Sequence, residues 1–188
     1  MLELRSTFGF LAFHGGALER MTDRIAREAA ARSGASAYAV IQPPGMRKHL
    51  PSIEVARGAS ARLTTFLDHV DVAVAVHGYG RHGLWSTLLL GGRNRHLADH
   101  VGAHLAAELD DHEVCTDLDA MPDGLRGVHP DNPVNGCRSA GVQLELPPGV
   151  RGLTPRWSDW VGPALPPPAE AVVTALVGAA RTWPPPLA

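Results

Sequence analysis

Residues 8–19, FGFLAFHGGALE, decide how this chain is read. A six-residue apolar run with three phenylalanines stops at a histidine and two glycines, and a glutamate follows five positions after the histidine. Periodicity cannot separate a short buried strand from a buried helical turn, but the length, the aromatics and the closing glycines favour a strand. His14 then stands at the strand's carboxyl end, where open α/β sheets keep their ligands. Gly15 and Gly16 permit a sharp turn that swings Glu19 back toward the imidazole. The pair has two readings, a hydrogen-bonded structural couple or part of a metal site, and alone it does not choose between them.

Downstream, Thr22 is the expected N-cap of a helix to about residue 33, with Ile25 and Ala29 inward and Gly34 ending it. Residues 37–41, AYAVI, make a second strand. Pro43, Pro44 and Gly45 open a basic, polar loop carrying Arg47, Lys48, His49 and Ser52. Val55, Ala59, Leu63 and Phe66 recur at helical spacing, which predicts a helix over about 53–66 that Gly58 weakens. Residues 71–76, DVAVAV, run straight into His77 and Gly78. Small and β-branched residues without polar alternation are expected of a strand covered on both faces in a mostly parallel sheet.

Residues 88–90 are another candidate strand, and 94–109 read as a helix with Leu97, Val101 and Leu105 in one stripe. His96, His100 and His104 run beside that stripe. No carboxylate or cysteine completes them at a fixed offset, so they mark the border between core and solvent rather than a metal site. Residues 113–116 suggest an edge strand, and 117–135, rich in Pro, Gly, Asp and Asn, a loop long enough to be functional or disordered. In 140–146, AGVQLEL, Val142, Leu144 and Leu146 face one way and Gln143 and Glu145 the other, toward solvent from an edge strand or toward a cavity. From about 147 the chain is proline-rich, with one amphipathic helix over about 169–181, and the closing WPPPLA is expected to be frayed or extended.

With 188 residues, 45% hydrophobic and 19% charged, the expectation is one domain spanning 1–188. A formal charge of -2 gives no overall basic field, so neither nucleic acid nor an anionic membrane is an expected partner. An anionic substrate must be met locally. Cys115 and Cys137 are too few for a disulfide framework and lack zinc-knuckle spacing, so free thiols are expected. The chain shows no secretory signal pattern and no apolar run near the ~20 residues of a membrane span, which makes a cytoplasmic location the default expectation.

Three apolar strands thus end in or carry polar groups: His14 with Glu19, His77, and Glu145. Two imidazoles and a carboxylate are the ligand set of many catalytic zinc sites, and a further carboxylate is what such a site needs as general base. The order His-Glu, distant His, later Glu on a strand resembles that of zinc carboxypeptidases, with the first two ligands five apart here rather than three. A closer resemblance lies in HGGALERMTDRIA (14–26), which is similar to the HGG-x-I-E-x-x-T motif of the poly-γ-glutamate hydrolase family, zinc-dependent enzymes of phages and bacteria that cleave γ-glutamyl amide bonds. The similarity continues in HLPS (49–52), DVAVAVHG, LLLGG and NPVNGCRSAGVQLEL. It covers about residues 8–151, with Leu18 in place of the usual isoleucine, and leaves the proline-rich C-terminus unmatched.

The resemblance implies a compact single α/β domain, similar to zinc carboxypeptidases, with a mostly parallel or mixed central sheet flanked by helices. It implies zinc held by His14, Glu19 and His77, Glu145 as the catalytic carboxylate, and an anionic peptide or polyglutamate substrate. Manganese or cobalt suits the same ligands. Arg138, just before the Glu145 strand, is the first candidate for stabilising an oxyanion or holding a substrate carboxylate. His49 and Asn135 are candidates for substrate contacts, and His82 and Trp85 for shaping the cleft, with packing the alternative for Trp85. Two rival functions stay open: a zinc amidase acting on a cell-wall peptide or an N-acyl amino acid, and an inactive binding protein of the same fold.

Overall fold

In the computed structural model, which describes residues 1–55, 57–157, 160 and 164–184, the apolar runs of the chain become neighbours in one mixed sheet. In chain order the described elements are β1 (Leu2–Glu3), β2 (Phe8–Gly16), α1 (Thr22–Ser33), β3 (Ser36–Gln42), α2 (Ala61–His69), β4 (Val72–Gly78), β5 (Thr87–Gly91), α3 (Arg95–Glu108), β6 (Glu113–Cys115), β7 (Gly141–Leu146) and α4 (Pro167–Thr182). The strands lie in the order β1-β3-β2-β4-β7-β5-β6. β3, β2, β4 and β7 run parallel, and β1 and β5 are antiparallel to β3 and β7.

Strand alternation divides the apolar residues between two layers. Phe8, Phe10, Val72, Val74, Val142 and Leu144 join Ile25, Leu97, Val101, Val172 and Leu176 in a core beneath α1, α3 and α4. Leu11, Phe13, Ala73 and Ala75 face the opposite way and pack with Leu63, Phe66 and Leu67 of α2 and with Val134 and Cys137. Full burial of each Phe or Leu contributes about 1.5–3 kcal/mol. Both layers are therefore firmly held, and polar residues that continue the second face, His77, Gln143 and Glu145, are fixed on it. The proline-rich C-terminus also takes part, because α4 is seated on α1 and α3.

Two expectations change. Val55 and Ala59 do not extend α2: residues Ser52–Glu54 and Arg57–Ala59 form separate 3-10 turns, Ala59 is exposed, and the buried stripe starts at Leu63. A glycine at 58 makes a continuous helix costly there. Thr22 is the first residue of α1 rather than its cap; Met21 caps it in the left-handed region, and the Thr22 hydroxyl donates to Glu19 O. Of the two readings of residues 140–146 the cavity one holds: β7 lies between β4 and β5, and its Gln143 and Glu145 are buried at the wall of a cavity. Neither Cys115 nor Cys137 is in a disulfide. No helix among the described residues is long and apolar enough to cross a membrane. Residues 185–188, part of the closing WPPPLA, lie outside the described residues.

Candidate metal centre

Simple alternation along β2 would put His14 on the same face as Phe10 and Ala12, away from His77. The register prevents this. Ala12 pairs with Ala39 and Gly15 with Ile41, so three steps of β2 match two of β3. Such a bulge re-aims side chains. Phe13 and His14 consequently both turn to the α2 layer: the His77 ring lies 6.1 Å from Phe13 and 5.1 Å from His14. The chain then reverses at Gly16, whose φ of 74° is left-handed and where a Cβ would meet Gln42 O at 2.2 Å. Asp23 Oδ1 accepts from Gly16 N–H at 2.9 Å, and Glu19 N–H donates to His14 O at 2.8 Å, closing the turn.

Glu19 lies between the two imidazoles. Its Oε1 is 2.7 Å from His14 Nδ1, and its Oε2 is 3.4 Å from His77 Nδ1 and accepts from Gly78 N–H at 2.9 Å. His14 Nε2 is 2.9 Å from Leu50 O. A carbonyl oxygen only accepts, so Nε2 carries the hydrogen, and a neutral ring then points the Nδ1 lone pair at a carboxylate oxygen. A positive charge between them, a proton or a metal ion, is what that contact requires. His77 Nε2 is buried without a hydrogen-bond partner. Burial alone would raise the Glu19 carboxyl, but hydrogen bonds from His14 and His77 outweigh it and hold the group well below the usual carboxylate range. Burial likewise disfavours charge on His77, yet the facing Glu19 and Glu145 pull its pKa up. Two imidazoles converging on one carboxylate, with spare positive charge favoured among them, is a donor set that fits a borderline divalent ion such as zinc.

Glu145 is directly opposite His77 in the β4–β7 register and is buried. Burial, first of all, pushes its carboxyl up to about 7, with Glu19 adding to the rise and His77 opposing it. His14, Glu19, His77, Glu145 and His49 line one cavity of about 620 Å³. His49 is exposed, on the loop before α2, its ring 4.8 Å from His14. Its ligand atom lies within 4.8 Å of those of His14 and Glu19, so His49 stands beside the centre as well.

Other expected site residues are placed elsewhere. Arg138 pairs with Asp71, at the amino end of β4, and its side chain is 65% exposed. Parallel pairing of β4 and β7 makes this unavoidable: a residue just before β7 sits at the end of the sheet opposite Glu145. Asn135 spends its amide on Gly127 O and His129 O and accepts from Arg93 N–H, bracing the loop rather than lining the cavity. His82 and Trp85 contact each other, rings 5.7 Å apart, and neither lines the cavity. The long 117–135 loop does, through Asp123, Leu125, Val128, His129 and Asn132. Sequence reasoning missed Arg151. Its buried guanidinium donates to Leu146 O, Arg20 O and Tyr79 O and lies across Gly78, where a Cβ would come within 2.6 Å of it. Those partners are scattered along the chain, and no local pattern announces them.

A family model described as poly-gamma-glutamate hydrolase matches residues 2–154. The chain belongs to that family. This poly-gamma-glutamate hydrolase family member is similar in fold to a solved bacteriophage poly-gamma-glutamate hydrolase, at a TM-score of 0.74 and 21% identity, over 95% of this chain and 86% of that one. It is also similar to the zinc-free apo form of YNDL, at a TM-score of 0.76 and 18% identity, over 97% and 88% of the two chains. No curated protein sequence matches it significantly.

In this poly-gamma-glutamate hydrolase family member the α3 histidines serve packing. His100 Nε2 is 3.0 Å from Ala179 O, His104 Nε2 is 2.9 Å from Thr182 Oγ1, and the rings of His96 and His100 lie against Trp183. Replacing His96, His100 and His104 together with glutamine is expected to lower the melting temperature by roughly 2–8 °C, the scale of losing ~1–2 kcal/mol. Metal content and hydrolytic rate, measured on the same sample, are expected to stay at the wild-type level.

Proposed function

We propose that this chain is a zinc-dependent hydrolase of γ-glutamyl amide bonds, with His14, Glu19 and His77 as the metal ligands and Glu145 as the general base. The observation that carries this reading is the convergence of both Nδ1 atoms on the two oxygens of Glu19 at one wall of a cavity that Glu145 also lines. Family membership supplies the substrate class.

An amide carbonyl is a poor electrophile and water a poor nucleophile, so hydrolysis near neutrality needs both corrected. Zinc, when bound, supplies a Lewis acid that polarises carbonyl oxygen and lowers the pKa of water to about 7. Glu145 takes a proton from the attacking water and returns it to the departing amine nitrogen. Burial raises the proton affinity of the Glu145 carboxyl, which favours taking the proton from water, and the more basic amine nitrogen then takes it over. Glu19, kept ionised by its two imidazoles, does not compete for that proton. His77 is held by its strand, and His14 by the Leu50 carbonyl, so the two rings are oriented before substrate arrives. To His49, exposed beside His14, we assign contact with a substrate carboxylate.

Assay of the zinc-loaded protein on γ-linked and α-linked oligoglutamate, muropeptides and N-acyl amino acids tests the substrate. Release from the γ-linked polymer, with little from the other three, is expected. Cleavage of another substrate with none of the γ-linked polymer would overturn the γ-glutamyl assignment, and no turnover of any would favour an inactive binding protein.

A further inference from the structure

Gln143 and Asn132 stand beside Glu145 in the cavity wall, both buried, on β7 and on the loop that precedes it. Gln143 Nε2 donates to Glu145 Oε1 at 2.9 Å and reaches Leu125 O at 3.4 Å, while Gln143 Oε1 accepts from Asn132 Nδ2 at 2.7 Å. Asn132 Nδ2 also lies 3.5 Å from Gly127 O, and Asn132 Oδ1 accepts from Val134 N–H at 3.3 Å. The direction of every bond is fixed by its ends. A carboxylate and the Leu125 carbonyl only accept, so the NH₂ of Gln143 must face both. Its oxygen then faces Asn132, which must present its own NH₂, and the Asn132 oxygen is left for a backbone N–H. Neither amide can be turned over without setting acceptor against acceptor in a buried place, where an unmade hydrogen bond is most costly.

We infer that Asn132 and Gln143 are positioning residues that hold Glu145 through an amide relay of a single polarity, tying Oε1 and leaving Oε2 as the oxygen that handles the proton. The inference rests on the proposed role of Glu145 as base. It also gives the 117–135 loop a second role, since the loop both walls the cavity and sets the orientation of the base through Asn132. Gln143 and Asn132 line the cavity as well, but their amides are engaged with Glu145, with each other and with the backbone, Asn132 one bond further from the base.

Two variants test this on the full chain loaded with zinc. Gln143→Met keeps the bulk and removes both ends of the relay. Asn132→Asp keeps the oxygen that Val134 N–H needs but replaces the donor to Gln143, so the Gln143 amide loses its partner or rotates and sets its oxygen against Glu145. For both, kcat on γ-linked polyglutamate is expected to fall roughly 10–100-fold, the scale of a misplaced catalytic group. KM is expected to stay within about threefold and zinc stoichiometry close to wild type; the melting temperature falls, because buried groups lose their partners, while the protein stays folded at the assay temperature, and kcat is taken per folded, zinc-loaded molecule. Adding Gln143→Met to Glu145→Gln is expected to cost no further activity. Wild-type kcat in both variants beside an inactive Glu145→Gln overturns the relay and leaves the base assignment standing. The same holds for a loss that merely tracks lost zinc or folded protein, or for full additivity in the double variant. Undiminished turnover by Glu145→Gln itself overturns the base, and the relay with it.

Discussion

Glu145→Gln is expected to yield a folded protein that binds zinc as the wild type does and hydrolyses γ-linked glutamate roughly 10²–10⁴-fold more slowly, the usual contribution of a positioned general base. The side chain keeps its size, so the wall it shares with Gln143 and His77 is preserved and KM should change little. What is lost is the ability to accept a proton. The base works ionised, so wild-type activity should fall as pH drops through the pKa of Glu145. Burial sets that value at about 7, and a cation held by the neighbouring ligands draws it lower, which places the acid limb below neutrality. Metal analysis and steady-state kinetics on one preparation check the prediction. Undiminished turnover would assign proton transfer to another group.

His14→Ala and His77→Ala should behave differently, losing stoichiometric zinc and activity together. Each removes one of three proposed ligands and leaves the low-lying Glu19 carboxylate with a single imidazole. The loss in metal affinity should exceed the roughly 10–100-fold that removal of an outer partner of a ligand costs. His49→Ala is the informative control. Its ring is as near to His14 as that of His77, 4.8 Å against 5.1 Å, but it is exposed on a loop. It is expected to keep its zinc while KM rises. Zinc lost by His14→Ala and His49→Ala but retained by His77→Ala would move the third ligand to the loop, and zinc retained by both strand variants would overturn the site.

The parts of the site legible in the sequence were those set by strand ends. His14 and His77 each close an apolar run with glycine, and β2 and β4 are parallel neighbours, so the ends of two separate runs meet in space. Gln143 and Glu145 were legible as a polar face, and the register opposite β4 buries that face beside His77. The α/β sheet and most of its helices followed from the same patterns. What stayed hidden depends on pairing between distant segments. The bulge that turns His14 toward His77 exists only in the register with β3, and alternation within β2 argues the other way. Arg138 looked close to Glu145 along the chain but belongs to the opposite end of the sheet, where Asp71 holds it. The break before α2 was signalled by Gly58, whose effect the spacing of Val55 and Ala59 obscured.

The contact between His14 and Leu50 is made by a main-chain oxygen, and every residue type carries one. Position 50 is therefore free to drift in identity without disturbing the imidazole, because the contact does not involve its side chain, and the residue is 38% exposed. Length is another matter. Removing or inserting a single residue between β3 and α2 would carry that oxygen out of reach and release the ring. In this segment the gap pattern between relatives, rather than any column of identical letters, should register the constraint.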